Sequence, residues 1–120
     1  MNQSYRSPNA IESALLRRLL EKDFSGRDGL LKQLDGLLVE TIDQAGSLSL
    51  RPIPLAAAVE VQQRVIAEGH YSDEDNGSSE GPLVHLLLHV ANGRLAELEI
   101  YKDDGSPIKK QPKPEDLLLG

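Results

Sequence analysis

Hydrophobic positions in the first third of the chain recur at helical spacing. Ile11, Ala14, Leu15 and Leu19 share one stripe, which Leu16 and Leu20 widen, while Arg17, Arg18, Glu21 and Lys22 point largely elsewhere. Ser7-Pro8 reads as an N-cap followed by proline in the first turn. The spacing predicts a helix over residues 8–22. Ser25, with Asp28 three residues on, marks a second start. Leu30, Leu31 and Leu34 give it a short apolar face, and Gly36 can end it in a left-handed conformation. Residues 8–36 are therefore expected to form a helical pair.

The period then changes from 3.6 to 2. Residues 37–42 and 47–51 flank Asp43-Gln44-Ala45-Gly46, a loop that pairs Thr41 with Leu48 and Val39 with Leu50 on one apolar face. Pro52 and Pro54 stop the second strand. Residues 57–71 read as a long strand, in which Ile66 breaks the parity of Val61 and Val65. A bulge near Gln62–Arg64 would restore it. Residues 72–81 are small and acidic and predict a mobile loop. Residues 82–90 and 94–102 form the clearest hairpin. A two-residue Asn92-Gly93 turn would put Glu97 opposite Leu88 and Glu99 opposite Leu86. A three-residue loop with a bulge at Gly93 pairs Leu86 with Leu98 and Val84 with Ile100, and keeps one face apolar. The second register is the expectation. It places His85 opposite Glu99, Leu87 opposite Glu97 and His89 opposite Leu95. Residues 106–120 read as a proline-containing tail.

The expected architecture is a single α+β domain over residues 1–120. An N-terminal helical pair (8–36) packs on one face of a four- to five-stranded, mostly antiparallel sheet (37–105). The other face, carrying His85, Leu87, His89, Glu97 and Glu99, is left at least partly open. Composition narrows the chemistry. The chain has 120 residues and no cysteine, which removes disulfides, zinc–thiolate sites and thiol nucleophiles. Its apolar runs, such as Leu86–Leu88 and Leu117–Leu119, are too short to span a membrane. No secretory leader is legible at the start, and a cytoplasmic location is expected. The net charge is −6, and residues 35–105 alone carry −9. That surface repels a phosphate backbone and favours a basic partner.

No catalytic, metal or cofactor site is expected. His85 and His89, four apart on a strand, sit about 13 Å apart, too far to share one ion. Glu97 and Glu99 have the spacing of a glycosidase carboxylate pair but lack aromatic platforms. Asp73-Glu74-Asp75 does not continue into a calcium loop, since Ser78 and Val84 occupy the required glycine and acid positions. No serine sits in a nucleophile motif. The terminal leucines, Leu117–Leu119, are expected to dock on the fold.

The stretch Glu97-Leu98-Glu99-Ile100-Tyr101-Lys102-Asp103-Asp104-Gly105-Ser106-Pro107 resembles the closing strand of a family of small, uncharacterised bacterial proteins. Such proteins also open on a leucine-rich helix, like Ile11 to Leu20, and carry an acidic turn like Asp73-Glu74-Asp75. This chain differs in its longer acidic loop. In size and charge it is also similar to immunity proteins of contact-dependent growth inhibition systems. That likeness implies a non-enzymatic protein that neutralises a cognate toxin, such as a basic nuclease. The residues expected to contact it are Asp73, Glu74, Asp75, Glu97, Glu99, Tyr101, Asp103 and Asp104. The alternative is a housekeeping or regulatory domain that forms a homodimer through its open face, burying Leu87 and Leu95.

Overall fold

The structure, a computed structural model, describes residues 4–61, 63–74 and 81–120. Most of the acidic loop expected at 72–81 therefore lies outside the described residues. Two helices precede six strands: α1 (Ala10–Leu19), α2 (Arg27–Lys32), β1 (Leu38–Thr41), β2 (Leu48–Arg51), β3 (Val65–Tyr71), β4 (Val84–Ala91), β5 (Arg94–Lys102) and β6 (Leu118–Leu119). The sheet order is β1-β2-β5-β4-β3-β6, and every pairing is antiparallel. The fold is α+β as expected, with six strands instead of four or five. Among the described residues no helix is long and apolar enough to cross a membrane.

α1 is shorter than residues 8–22, and its cap is Asn9, not Ser7. Asn9 Oδ1 accepts from the Glu12 backbone N–H at 2.8 Å, and Glu12 Oε1 accepts from the Asn9 N–H at 2.9 Å. Reciprocal satisfaction of two otherwise orphaned donors sets the start. At α2 the cap position is Gly26, in the left-handed region, with no side-chain cap from Ser25. Leu15, Leu16, Leu19 and Leu20 are buried against Leu48, Leu86, Leu88, Leu98 and neighbouring strand residues, so the core is aliphatic. Leu19 packs directly over Gly69 of β3, where a Cβ would come within 3.3 Å of it.

The β1–β2 hairpin has the expected register, Thr41 opposite Leu48 and Val39 opposite Leu50. The β4–β5 hairpin has neither of the two registers considered. Its turn is the two-residue one: Asn92 (φ 53°) and Gly93 (φ 76°) both take the positive φ of a type I′ turn, and Ala91 pairs with Arg94. Val90 then pairs with Leu95 but His89 with Glu97, leaving Ala96 as an extra residue on β5. This bulge resets the parity, so Leu88 faces Leu98 and Leu86 faces Ile100. His85 consequently pairs with Tyr101, not Glu99, and His89 with Glu97, not Leu95. Leu95 is buried on the helix side.

Gln33, buried just after α2, holds this end of the sheet. Its Oε1 accepts from the Leu95 N–H (2.8 Å), and its Nε2 donates to Ala57 O (2.9 Å) and Gly93 O (3.0 Å). Val59 N–H also donates to Gly93 O at 2.8 Å. A Cβ on Gly93 would come within 2.5 Å of Val59 O, so only glycine admits this approach. Arg94 caps the carbonyls of Ile53 and Ala56. These side-chain bonds replace strand pairing, and the long strand expected over 57–71 is confined to β3, 65–71. Its irregularity falls between Val65 and Ala67, at Ile66; of the segment Gln62–Arg64, where a bulge is expected, Gln62 lies outside the described residues.

The expected tail, 106–120, folds back. A 3-10 turn at Pro114–Asp116 precedes buried Leu117, and β6 pairs Leu118 with His70 and Leu119 with Gly69. Arg18 Nη2 donates to Leu117 O and Lys22 Nζ to Gly120 O, both at 2.8 Å. The terminal leucines thus dock, although Leu118 stays 62% exposed.

Lys102 has the inward parity of Leu98 and Ile100. It is buried, and Nζ meets Asp73 Oδ2 at 2.8 Å, with side-chain exposures of 2% and 0%. Asp73 Oδ2 also accepts from the Lys109 N–H at 2.8 Å. Burial pushes the Asp73 carboxyl up. The Lys102 hydrogen bond, the Lys109 N–H and the Lys102 charge outweigh it, and its pKa lies below the ordinary value.

Two stability predictions follow from these buried polar groups. Gln33→Met keeps the volume but orphans the Leu95 N–H and the Ala57 carbonyl. It is expected to lower stability by roughly 2–4 kcal/mol, read as a shift in urea midpoint at unchanged slope. Asp73→Asn leaves the Lys102 ammonium buried without a counter-charge and is expected to cost roughly 3 kcal/mol at neutral pH. Because the Asp73 pKa is depressed on folding, the pair's contribution is complete above about pH 4 and is lost as pH falls through the depressed value. Acid titration of stability should therefore be shallower in Asp73→Asn than in the native protein, with Glu12 still contributing to the remaining slope.

Candidate functional site

Both helices lie on one side of the sheet, and the strand register arranges the other side in three cross-strand rows. The first runs Glu40, Ser49, Glu97, His89 and Val65; the second Glu99, Leu87 and Glu68; the third Tyr101, His85, His70 and Leu118. All twelve are half-buried or exposed, whereas their inward neighbours Val39, Leu48, Leu86, Leu88 and Leu98 are buried. Among the described residues no helix covers this face. It alternates carboxylates with imidazoles and aliphatic groups.

Its third row is an aromatic ladder. The rings of His85 and Tyr101 stack at 5.0 Å with an interplanar angle of 18°, and the His70 ring lies 6.2 Å from His85. His85 Nε2 donates to Asp103 Oδ1 at 2.6 Å, and Asp103 Oδ2 accepts from the Leu83 N–H at 3.0 Å. The Leu83 N–H, helped by His85, holds the Asp103 carboxyl below its ordinary pKa. Across the face, Tyr5 Oη and Ser49 Oγ are 2.6 Å apart, and the Arg51 guanidinium sits 3.8 Å above the Tyr5 ring. Between these ends, His89 Nε2 donates to Glu99 Oε1 at 2.8 Å. One potential ligand atom each from His89, Glu97 and Glu99 lies within 4.8 Å of the others.

Four of the sequence-predicted contact residues gather at this face: Glu97, Glu99 and Tyr101 on β5, and Asp103 just beyond it. Asp104 is exposed in the following turn, where Ser106 donates to it from both N–H (3.0 Å) and Oγ (2.6 Å) and lowers its pKa. Asp73 is not on a surface at all, since the inward Lys102 draws it into the fold. Glu74 follows it to the 105–110 segment and meets Lys109 Nζ at 3.2 Å. Asp75 lies outside the described residues.

The His89–Glu97–Glu99 grouping is not visible in the expected register, whose three-residue loop places His89 beside Leu95. The detectable signal was the conflict between an Asn-Gly turn and the apolar parity of both strands, which one extra residue resolves. Gln33 and Lys102 were missed for a similar reason. Each is a polar side chain at an inward position, and such positions demand partners.

No curated protein and no solved structure matches the chain. A family model does, over residues 5–112. That span takes in both helices, β1 to β5 and every residue of the open face but Leu118. The chain belongs to this family, described as a domain of unknown function, DUF6984.

Proposed function

We propose that this is a non-enzymatic binding protein whose open sheet face engages a basic protein partner. In its most specific form it is an immunity protein that occupies the phosphate-binding cleft of a toxin nuclease. The observation that carries the reading is the uncovered face itself. A two-layer domain normally buries both inward surfaces, and a well-ordered face left half-exposed is available for contact. Glu40, Glu68 and Glu97 on it form no ion pairs among the described residues, and its three rows contain no lysine or arginine. A basic cleft would meet this charge favourably and at an accelerated rate. Tyr101, 40% exposed and braced by His85, supplies a rigid aromatic anchor. A standard interface of about 800 Å² per partner fits such a face.

Self-association through the same face is the competing reading. Its contact would be made by Leu87, without Leu95, which belongs to the core.

Co-expression with the product of the adjacent upstream reading frame tests the proposal. Co-purification with a protein that is toxic alone is expected. Glu97→Lys combined with Glu99→Lys should slow association at least tenfold at low salt, with the gap narrowing at high salt. An association rate unchanged by the double reversal would remove the acidic face from the interface. A dimer that Leu87→Asp converts to a folded monomer would favour self-association instead.

A further inference from the structure

Three ionisable side chains meet where β4 and β5 cross the open face. β4 supplies the His89 imidazole and β5 the Glu97 and Glu99 carboxylates, with one ligand atom of each within 4.8 Å of the other two. His89 and Glu97 are direct cross-strand partners, and the pleat returns Glu99 to the same face two residues on. All three are half-buried, which limits the directions their side chains can take. Their charge is poorly compensated. Glu97 joins no ion pair among the described residues, and Glu99 pairs only with His89. Two carboxylates beside one imidazole repel each other, and a divalent ion between them reverses that repulsion.

We propose that His89, Glu97 and Glu99 bind one divalent transition-metal ion, for which Zn2+ is the best match. Imidazole nitrogen and carboxylate oxygen both bind zinc at about 2.0–2.2 Å. Around a tetrahedral ion, such bonds set neighbouring ligand atoms about 3.3 Å apart. His89 Nε2 and Glu99 Oε1 stand at 2.8 Å. Exchanging their shared proton for the ion therefore needs an opening of only about 0.5 Å. Glu97 closes the third side by turning its terminal torsions, which are soft. Calcium and magnesium fit less well, because they take six or more oxygens and one donor here is nitrogen. Three protein ligands leave a coordination position facing solvent. His85 stands apart from the site, since its Nε2 is held by Asp103 and its ring is stacked on Tyr101. The site requires no protein partner on the same face.

Titrating the untagged protein with Zn2+ alone, in competition with a chromophoric chelator, tests this. One ion per chain is expected. His89→Ala, Glu97→Gln and Glu99→Gln should each weaken binding at least tenfold, while His70→Ala and His85→Ala stay within twofold of the native protein. Imidazole NMR signals of the unaltered protein give a second reading that depends on no variant. Zn2+ should shift the His89 ring and leave His70 and His85 in place. Native affinity no better than that of His89→Ala, or ring shifts centred on His70 or His85, would overturn the assignment.

Discussion

A β-strand shows alternate residues to opposite faces, and a two-residue turn fixes which residues meet. In β4–β5 these two rules conflict. The Asn92-Gly93 turn, left alone, would set Glu97 and Glu99 against the leucines of β4. The single extra residue at Ala96 removes the conflict by shifting every later pair by one. Core and open face both depend on that shift. It lines up Leu86, Leu88, Leu98 and Ile100 beneath the helices and sends the charged residues of β5 the other way.

The bulge has a cost, since a displaced strand leaves backbone groups without ladder partners. Gln33 meets that cost from outside the sheet by accepting from the Leu95 N–H while binding the carbonyls of Ala57 and Gly93. The helical pair thus both covers the core and holds the hairpin tip. At the far end of β5 the inward stripe finishes on Lys102, whose charge is matched by Asp73. Polar side chains therefore anchor both ends of the strand that carries Glu97, Glu99 and Tyr101. That anchoring holds the outward groups of this strand in one register.

Much of this was legible in the sequence. The leucine stripe of α1, the β1–β2 register and the one-sided packing all follow from local periodicity, which burial of a single face enforces. What was not legible depends on contacts between residues distant in sequence. The cap is a local exception: Asn9 has Glu12 three residues on, the capping-box spacing, which Ser7 lacks. β6 is two residues long, too short for any periodic signal, and exists because Leu117 finds the core and Gly120 N–H finds Glu68 O. Asp73 reads as part of a solvated acidic run, and its removal from the surface depends on Lys102, 29 residues away. For the candidate site, the right residue types on the right face were recoverable. The convergence of His89 with both glutamates was not, because it hangs on one bulged residue.

The register of β4 against β5 is thus the claim on which the rest stands. Cross-strand nuclear Overhauser contacts in the free protein measure it directly. Contacts between His89 and Glu97, Leu87 and Glu99, and Val90 and Leu95, with Ala96 unpaired, are the predicted set. Contacts pairing His89 with Leu95 and His85 with Glu99 would contradict it. They would dissolve both the candidate ion site and the arrangement of the open face.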